Sequence, residues 1–255
     1  MSGTTATIAT DTTATATSFD VLLPPCWRQL VTDWLREDAP SFDYGGFVVG
    51  TVPQVAVLYG KSRGVLAGRP FFDEVFRQVD CRVEWLLEEG AAVEPVCEVA
   101  RVYGPACKLL LGERTALNIL ARCSGVASRA RRLVQLKKEH GYEGIIAGTR
   151  KCTPGFRLVE NEEEAEEAIQ AGADIIMLDN FTAAEFKLAA KRLHDRHHTA
   201  QRAGEGRRFL IEASGGITED NIAAYFSPDV DIISLGAMTQ GVPHVDFSLK
   251  IQRKQ

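Results

Sequence analysis

The strongest constraint on the fold is an alternation that begins at Gly144. Short, almost wholly apolar runs at 145–147, 174–178, 208–212 and 230–235 are separated by helix-like stretches at 162–171, 183–197 and 219–225. Strands that lack a polar face are covered on both sides, and a helix between each pair makes successive strands run parallel. In such a sheet the loops leaving the strands' C-terminal ends carry the chemistry. Four readable strands are too few to close a barrel, so the expectation is a partial, TIM-like α/β barrel.

The residues before Gly144 follow a different rule. Trp27, Leu30, Val31, Trp34 and Leu35 recur at helical spacing within 26–36, and 38–43 breaks that helix. A second amphipathic helix is expected at 71–79 and strands at 55–59, 83–87 and 96–102, with Gly64 and Gly68 marking turns. A long helix is expected from 113, interrupted at Ser124-Gly125 and resuming through His140. The predicted division is therefore a disordered tail at 1–19, an N-terminal α+β sandwich domain at 20–114 rejoined by 237–255, and the partial barrel at 115–236.

Residues 1–18 are nearly all Ser, Thr, Ala and Gly, without the basic and apolar regions of a secretory signal or the arginines of a transit peptide. No apolar run approaches the roughly 20 residues that span a bilayer. The six cysteines show no zinc-like spacing and read as free thiols of a reducing, cytoplasmic setting.

The clearest functional signal is cationic. Arg150, Lys151 and Arg157 fall within eight residues that contain no acid, directly after the strand at 145–147. The whole chain carries a formal net charge of -5, so this is a local anion site and not a nucleic-acid surface. Asp179 and Asn180 follow the strand at 174–178. That carboxylate could contact sugar hydroxyls, magnesium or a cationic transition state, or it could cap the next helix.

Ser214, Gly215 and Gly216 end the third strand and Gly236 ends the fourth. Glycines there let backbone N–H groups approach a phosphate. Glu219 and Asp220 are expected in the first turn of the next helix, where they answer its dipole and leave the phosphate to the glycines. On residues alone, Arg114 reads as a salt-bridged helix residue beside Glu113. The run from His194 to His198 reads as solvated helix, and no residue is assigned as a metal ligand.

Several segments in order resemble one family, the quinolinate phosphoribosyltransferases. They are Gly-Val-Leu-Ala-Gly at 64–68, Leu-Gly-Glu-Arg-Thr-Ala-Leu-Asn at 111–118, Arg-Cys-Ser-Gly at 122–125 and Gly-Thr-Arg-Lys-Cys-Thr-Pro-Gly-Phe-Arg at 148–157. Leu-Asp-Asn-Phe at 178–181, Glu-Ala-Ser-Gly-Gly-Ile at 212–217 and Asp-Phe-Ser-Leu-Lys at 246–250 continue the match. The resemblance implies transfer of phosphoribose from 5-phosphoribosyl 1-diphosphate to quinolinate with decarboxylation, giving nicotinate mononucleotide, diphosphate and carbon dioxide, with magnesium.

It also implies roles: Lys151 and Asp179 as catalytic groups, Arg114, Arg150 and Lys151 as anion clamps, and Ser214, Gly215, Gly216 and Gly236 as phosphate cradle. Family members are homodimers or homohexamers in which the residue matching Arg114 reaches a neighbour's barrel, and a C-terminal helix returns to the first domain. No nucleic acid or membrane partner is expected.

One departure stands out. Between Glu160 and Asn161 the family carries roughly fifty further residues, more than one βα unit. An alternative expectation is therefore a noncatalytic form that retains the oligomerising scaffold.

Overall fold

A computed structural model of the chain describes residues 23, 25–41, 43–148, 174–202, 209–241 and 243–252. The expected tail at 1–19 and helix at 162–171 lie outside them, as do Arg150, Lys151 and Arg157. Two sheets organise the described residues.

The first sheet is antiparallel. β1 (Pro53–Gly60) and β5 (Cys97–Pro105) form its middle, flanked by β10 (Phe247–Ile251) and β3 (Arg82–Trp85) in the order β10-β1-β5-β3. A two-stranded ribbon pairs β2 (Gly64–Val65) with β4 (Ala92–Val93). The helices α1 (Trp27–Asp38) and α3 (Arg69–Gln78) deliver Trp27, Val31, Phe72, Val75 and Phe76 into one core with Ala56 and Leu58 of β1. Each of those large side chains contributes about 2 kcal/mol by leaving water. A short helix, α2 (Tyr44–Val49), which the sequence reading left unassigned, starts where the Asp43 side chain accepts from Gly46 N at 2.9 Å.

Two expectations fail here. The C-terminal segment is a strand, not a helix: Phe247 and Leu249 alternate into the core at period two, and β10 adds to the edge beside β1. The long helix is not interrupted. α4 (Ala106–Glu139) runs unbroken for 34 residues, and the small residues in its middle answer neighbours across space.

The Ser124 hydroxyl accepts from Ala67 N at 3.0 Å and donates to Ala67 O at 3.2 Å, while a Cβ at Gly125 would lie 2.5 Å from the Pro243 carbonyl oxygen. Alanine at 125 would gain about 1 kcal/mol of helix propensity. Meeting a backbone oxygen costs about 1–3 kcal/mol as overpacking. We therefore expect Gly125→Ala to destabilise by about 1 kcal/mol in urea unfolding, and a gain in stability would show that Pro243 gives way freely.

The second sheet is parallel, with β6 (Ile145–Gly148), β7 (Ile175–Asp179), β8 (Leu210–Ser214) and β9 (Ile232–Leu235) in the order β6-β9-β8-β7. Helix α5 (Ala183–Arg202) packs Phe186, Ala189, Ala190 and Leu193 against Ile176, Leu178, Ile211, Ala213 and Ile233. One helix serves both cores, since α4 buries Leu109, Ala116 and Leu120 in the first and Leu133 in the second. The expected helix at 219–225 shrinks to a single 3-10 turn at Ile222–Tyr225. Its entry is tied instead by Asn221, whose side chain accepts from Thr218 N at 2.8 Å and donates to Gly216 O at 3.0 Å.

Among the described residues the barrel is open, with β6 and β7 as its edges. Ile145 is 58% exposed and Ile175 48%, both on the face turned away from α5. Four strands cannot curl far enough to bury that face.

Candidate active site

The parallel register brings the C-terminal tips together. Asp179 lies opposite Ser214 on the neighbouring strand, and Asn180 N donates to Ser214 O at 3.1 Å. Asp179 is only 9% exposed, and the Asn180 side-chain amide donates to its Oδ2 at 2.9 Å. Asn180 and the two following glycines, Gly215 and Gly216, all have left-handed backbone, with φ of 62°, 89° and 62°.

Gly215 has no alternative there. A Cβ on it would sit 2.5 Å from Asn180 N and 2.8 Å from Asp179 Oδ1. A Cβ on Gly216 would meet nothing within 4 Å, so what keeps glycine there is the left-handed backbone and not crowding. A buried carboxylate, a serine hydroxyl and a glycine turn therefore share one end of one strand pair.

Asp179 does not cap the following helix. Thr182 and Glu185 do so as a capping box: Thr182 N and Oγ1 donate to Glu185 Oε2 at 3.2 and 2.7 Å, and Glu185 N donates to Thr182 Oγ1 at 3.4 Å. The hydrogen bond from Thr182 holds the Glu185 carboxyl below its usual range. The signal was present as Thr-Ala-Ala-Glu at 182–185.

The next tip is built differently. Gly236 opens a 3-10 turn at Gly236–Met238, and Thr239 N and Gln240 N both donate to its carbonyl at 3.0 and 2.8 Å. A Cβ on Gly148, at the end of β6, would meet Met238 Sδ at 3.2 Å and Thr239 Cγ2 at 3.3 Å. Thr149, Arg150 and Lys151 follow that glycine in sequence; Arg150 and Lys151 lie outside the described residues, so their side chains are not assigned a place.

Arg114 is not brought to this site. It lies within α4, past the helix start, and its partner is Asp38 at 3.2 Å and not Glu113. Burial raises the Glu113 carboxyl, with Arg114 opposing that rise. Arg114 borders an open cavity of about 570 Å³ that Asp38, Asp43, Glu113 and Asn118 also line, all in the antiparallel-sheet unit. Its side chain is 73% exposed, so it is free to meet a charge from outside the chain.

Glu219 also departs from expectation. It precedes the 3-10 turn and sits against α4, where Arg129 and Arg132 approach it at 3.4 and 3.2 Å. Its charge is answered by guanidinium groups and not by a helix dipole. Ser234, 3% exposed with its hydroxyl donating to Ala213 O at 3.3 Å, is a buried polar group beside the site that sequence reading missed, because it reads as one small residue inside an apolar strand. Among the described residues no group of three or more His, Cys, Asp or Glu side chains is arranged to hold a metal, and no helix is long and apolar enough to cross a membrane.

Comparison with known proteins gives consistent results. Residues 41–124 match the sequence model described as quinolinate phosphoribosyl transferase, N-terminal domain, and residues 158–250 match the corresponding C-terminal domain. The nicotinate-nucleotide pyrophosphorylase [carboxylating] of Rattus norvegicus is 40% identical over 286 residues, covering 90% of this chain and 93% of the rat protein. The protein of the same name from Homo sapiens is 40% identical over 291 residues, covering 92% and 95%.

An alignment of 286 residues exceeds the 255 residues of this chain, so the rat protein carries segments with no counterpart here. Among solved structures, the nicotinate-nucleotide pyrophosphorylase from Francisella tularensis superposes with a TM-score of 0.74 at 25% identity, covering 88% of this chain and 95% of that one. NadC from Streptococcus pyogenes gives 0.74 at 26% identity, with 89% and 97% covered.

Proposed function

The chain belongs to the quinolinate phosphoribosyltransferase family, and from that membership we propose its reaction: transfer of phosphoribose from 5-phosphoribosyl 1-diphosphate to the ring nitrogen of quinolinate, with decarboxylation. The products are nicotinate mononucleotide, diphosphate and carbon dioxide. The observation that carries the reading is the buried Asp179 set against the Ser214-Gly215-Gly216 turn, in a chain 40% identical to its relatives over nine-tenths of its length.

The proposed roles follow from charge. The phosphate on ribose rests on the Ser214 hydroxyl and the backbone N–H groups of Gly215 and Gly216, with Gly236 at the neighbouring tip. Asp179 faces the ribose and stabilises the positive charge that develops at its anomeric carbon as diphosphate leaves. Arg150 and Lys151 clamp the carboxylates of quinolinate, and Arg114 reaches the same substrate from a second copy of the chain. Once the ring nitrogen is alkylated, its positive charge stabilises the electron pair left on ring carbon 2 as the bond to the adjacent carboxyl breaks; carbon dioxide leaves and that carbon takes a proton from solvent.

Magnesium fits the donors present. The ion takes one or two carboxylates and completes its shell with water and substrate phosphate, and Asp179 offers a carboxylate at the site. When bound, it neutralises the leaving diphosphate. A homodimer or homohexamer belongs to the same proposal, as does a cytoplasmic, reducing setting, and with that setting the five described cysteines, all free thiols, agree.

Purified chain supplied with 5-phosphoribosyl 1-diphosphate, magnesium and quinolinate labelled in its 2-carboxyl should release labelled carbon dioxide in step with nicotinate mononucleotide. Release no faster than an enzyme-free control overturns the reading and leaves a noncatalytic scaffold.

A further inference from the structure

Three arginines on α4 have no part in the roles given above. Arg122 donates through Nη2 to the Thr239 carbonyl at 3.1 Å, and Thr239 in turn donates to Gly236 O through its N–H at 3.0 Å and its hydroxyl at 3.4 Å. Arg129 Nη1 lies 3.4 Å from Glu219 Oε2, and Arg132 Nε donates to Glu219 Oε1 at 3.2 Å. Spacings of seven and three residues put all three arginines on one side of the helix. Arg122 thus holds the turn after β9, and the other pair holds the turn after β8.

The second turn is stiff enough to transmit that hold. Glu219 is two residues past buried Ile217, and Asn221 ties Thr218 N to Gly216 O across the loop. Arg129 and Glu219 side chains are 23% and 31% exposed, less open to solvent screening than an ordinary surface pair. Any shift of Glu219 is therefore passed to Gly215 and Gly216.

We infer that Arg122, Arg129 and Arg132 are positioning residues: α4 sets the two glycine turns at the separation that one phosphate requires, through the Thr239 carbonyl and the Glu219 carboxylate. This rests on the proposed role of those turns in holding the substrate's phosphate. Ion pairs that served stability alone would leave substrate affinity unchanged.

Two readouts on the full chain separate them: steady-state kinetics with each substrate varied in turn, and hydrogen exchange of the amides of residues 215–218. Glu219→Gln and the pair Arg129→Met, Arg132→Met should each raise KM for 5-phosphoribosyl 1-diphosphate about tenfold, with KM for quinolinate within about twofold. The same variants should speed exchange at 215–218 about tenfold. Arg129→Lys with Arg132→Lys should recover most of both, because the charge remains. Arg101→Met, which removes the exposed Arg101–Glu98 pair of the first sheet, should change neither.

Unchanged exchange at 215–218 overturns the inference, as does a KM shift shared equally by both substrates. If the unaltered chain shows no turnover, the proposed function falls, while exchange at 215–218 still decides whether α4 positions the turns.

Discussion

Asp179→Asn should lower kcat/KM by roughly two to three orders of magnitude while leaving the fold intact. The substitution keeps the shape of the side chain and can still accept a hydrogen bond from the Asn180 amide, now 2.9 Å from Oδ2. What it removes is a negative charge on a group 9% exposed, where water cannot substitute for it.

If ribose passes through a cationic transition state beside this carboxylate, the loss falls on the transition state and not on substrate binding, so kcat should carry most of the change. The capping box at Thr182 and Glu185 makes the prediction specific, because Asp179 has no helix end to hold. A variant that keeps kcat/KM within about tenfold of the parent, with unchanged thermal unfolding, would place Asp179 away from the ribose.

What could be read in the sequence divides by the range of the cause. The parallel strands were legible because they are apolar along their length, as Ile175-Ile176-Met177-Leu178 is, although among the described residues only the face toward α5 is covered and Ile175 stays 48% exposed. Asp179 and the glycines were legible for the same reason, since they sit where those runs stop. The continuity of α4 was not. Ser124 and Gly125 read locally as a helix breaker, yet they are small because Ala67 and Pro243, 57 and 118 positions away in the chain, press against them.

Arg114 shows the same limit, since Glu113 is next to it in sequence while its partner is Asp38, on another helix. Glu219 was read as a helix-dipole partner because its tertiary neighbours on α4 leave no mark on the residues around it. The strand β10 was legible in its residues, Phe247 and Leu249 alternating with Ser248 and Lys250. The expectation of a helix overrode a period of two that was plainly there.

The position of Arg114 sets up the other large expected effect. Within one chain it faces the cavity beside Asp38, among residues of the antiparallel-sheet unit, whereas Asp179 and the glycines end the parallel strands. A role at the substrate therefore requires delivery by a second copy, and delivery in trans has a consequence that delivery in cis lacks. Arg114→Ala should be nearly inactive by itself, since removing one partner of a charge pair at a substrate costs about 2–5 kcal/mol.

Asp179→Asn should be nearly inactive for the separate reason given above. Mixed, unfolded and refolded together at equal amounts, the two should regain about a quarter of the parent activity, because half of the resulting dimers pair one of each and one of their two sites then holds both intact residues. If both residues served the same chain's site, no mixture could rebuild one. Recovery at the level of the unmixed variants would thus return Arg114 to a structural partner of Asp38.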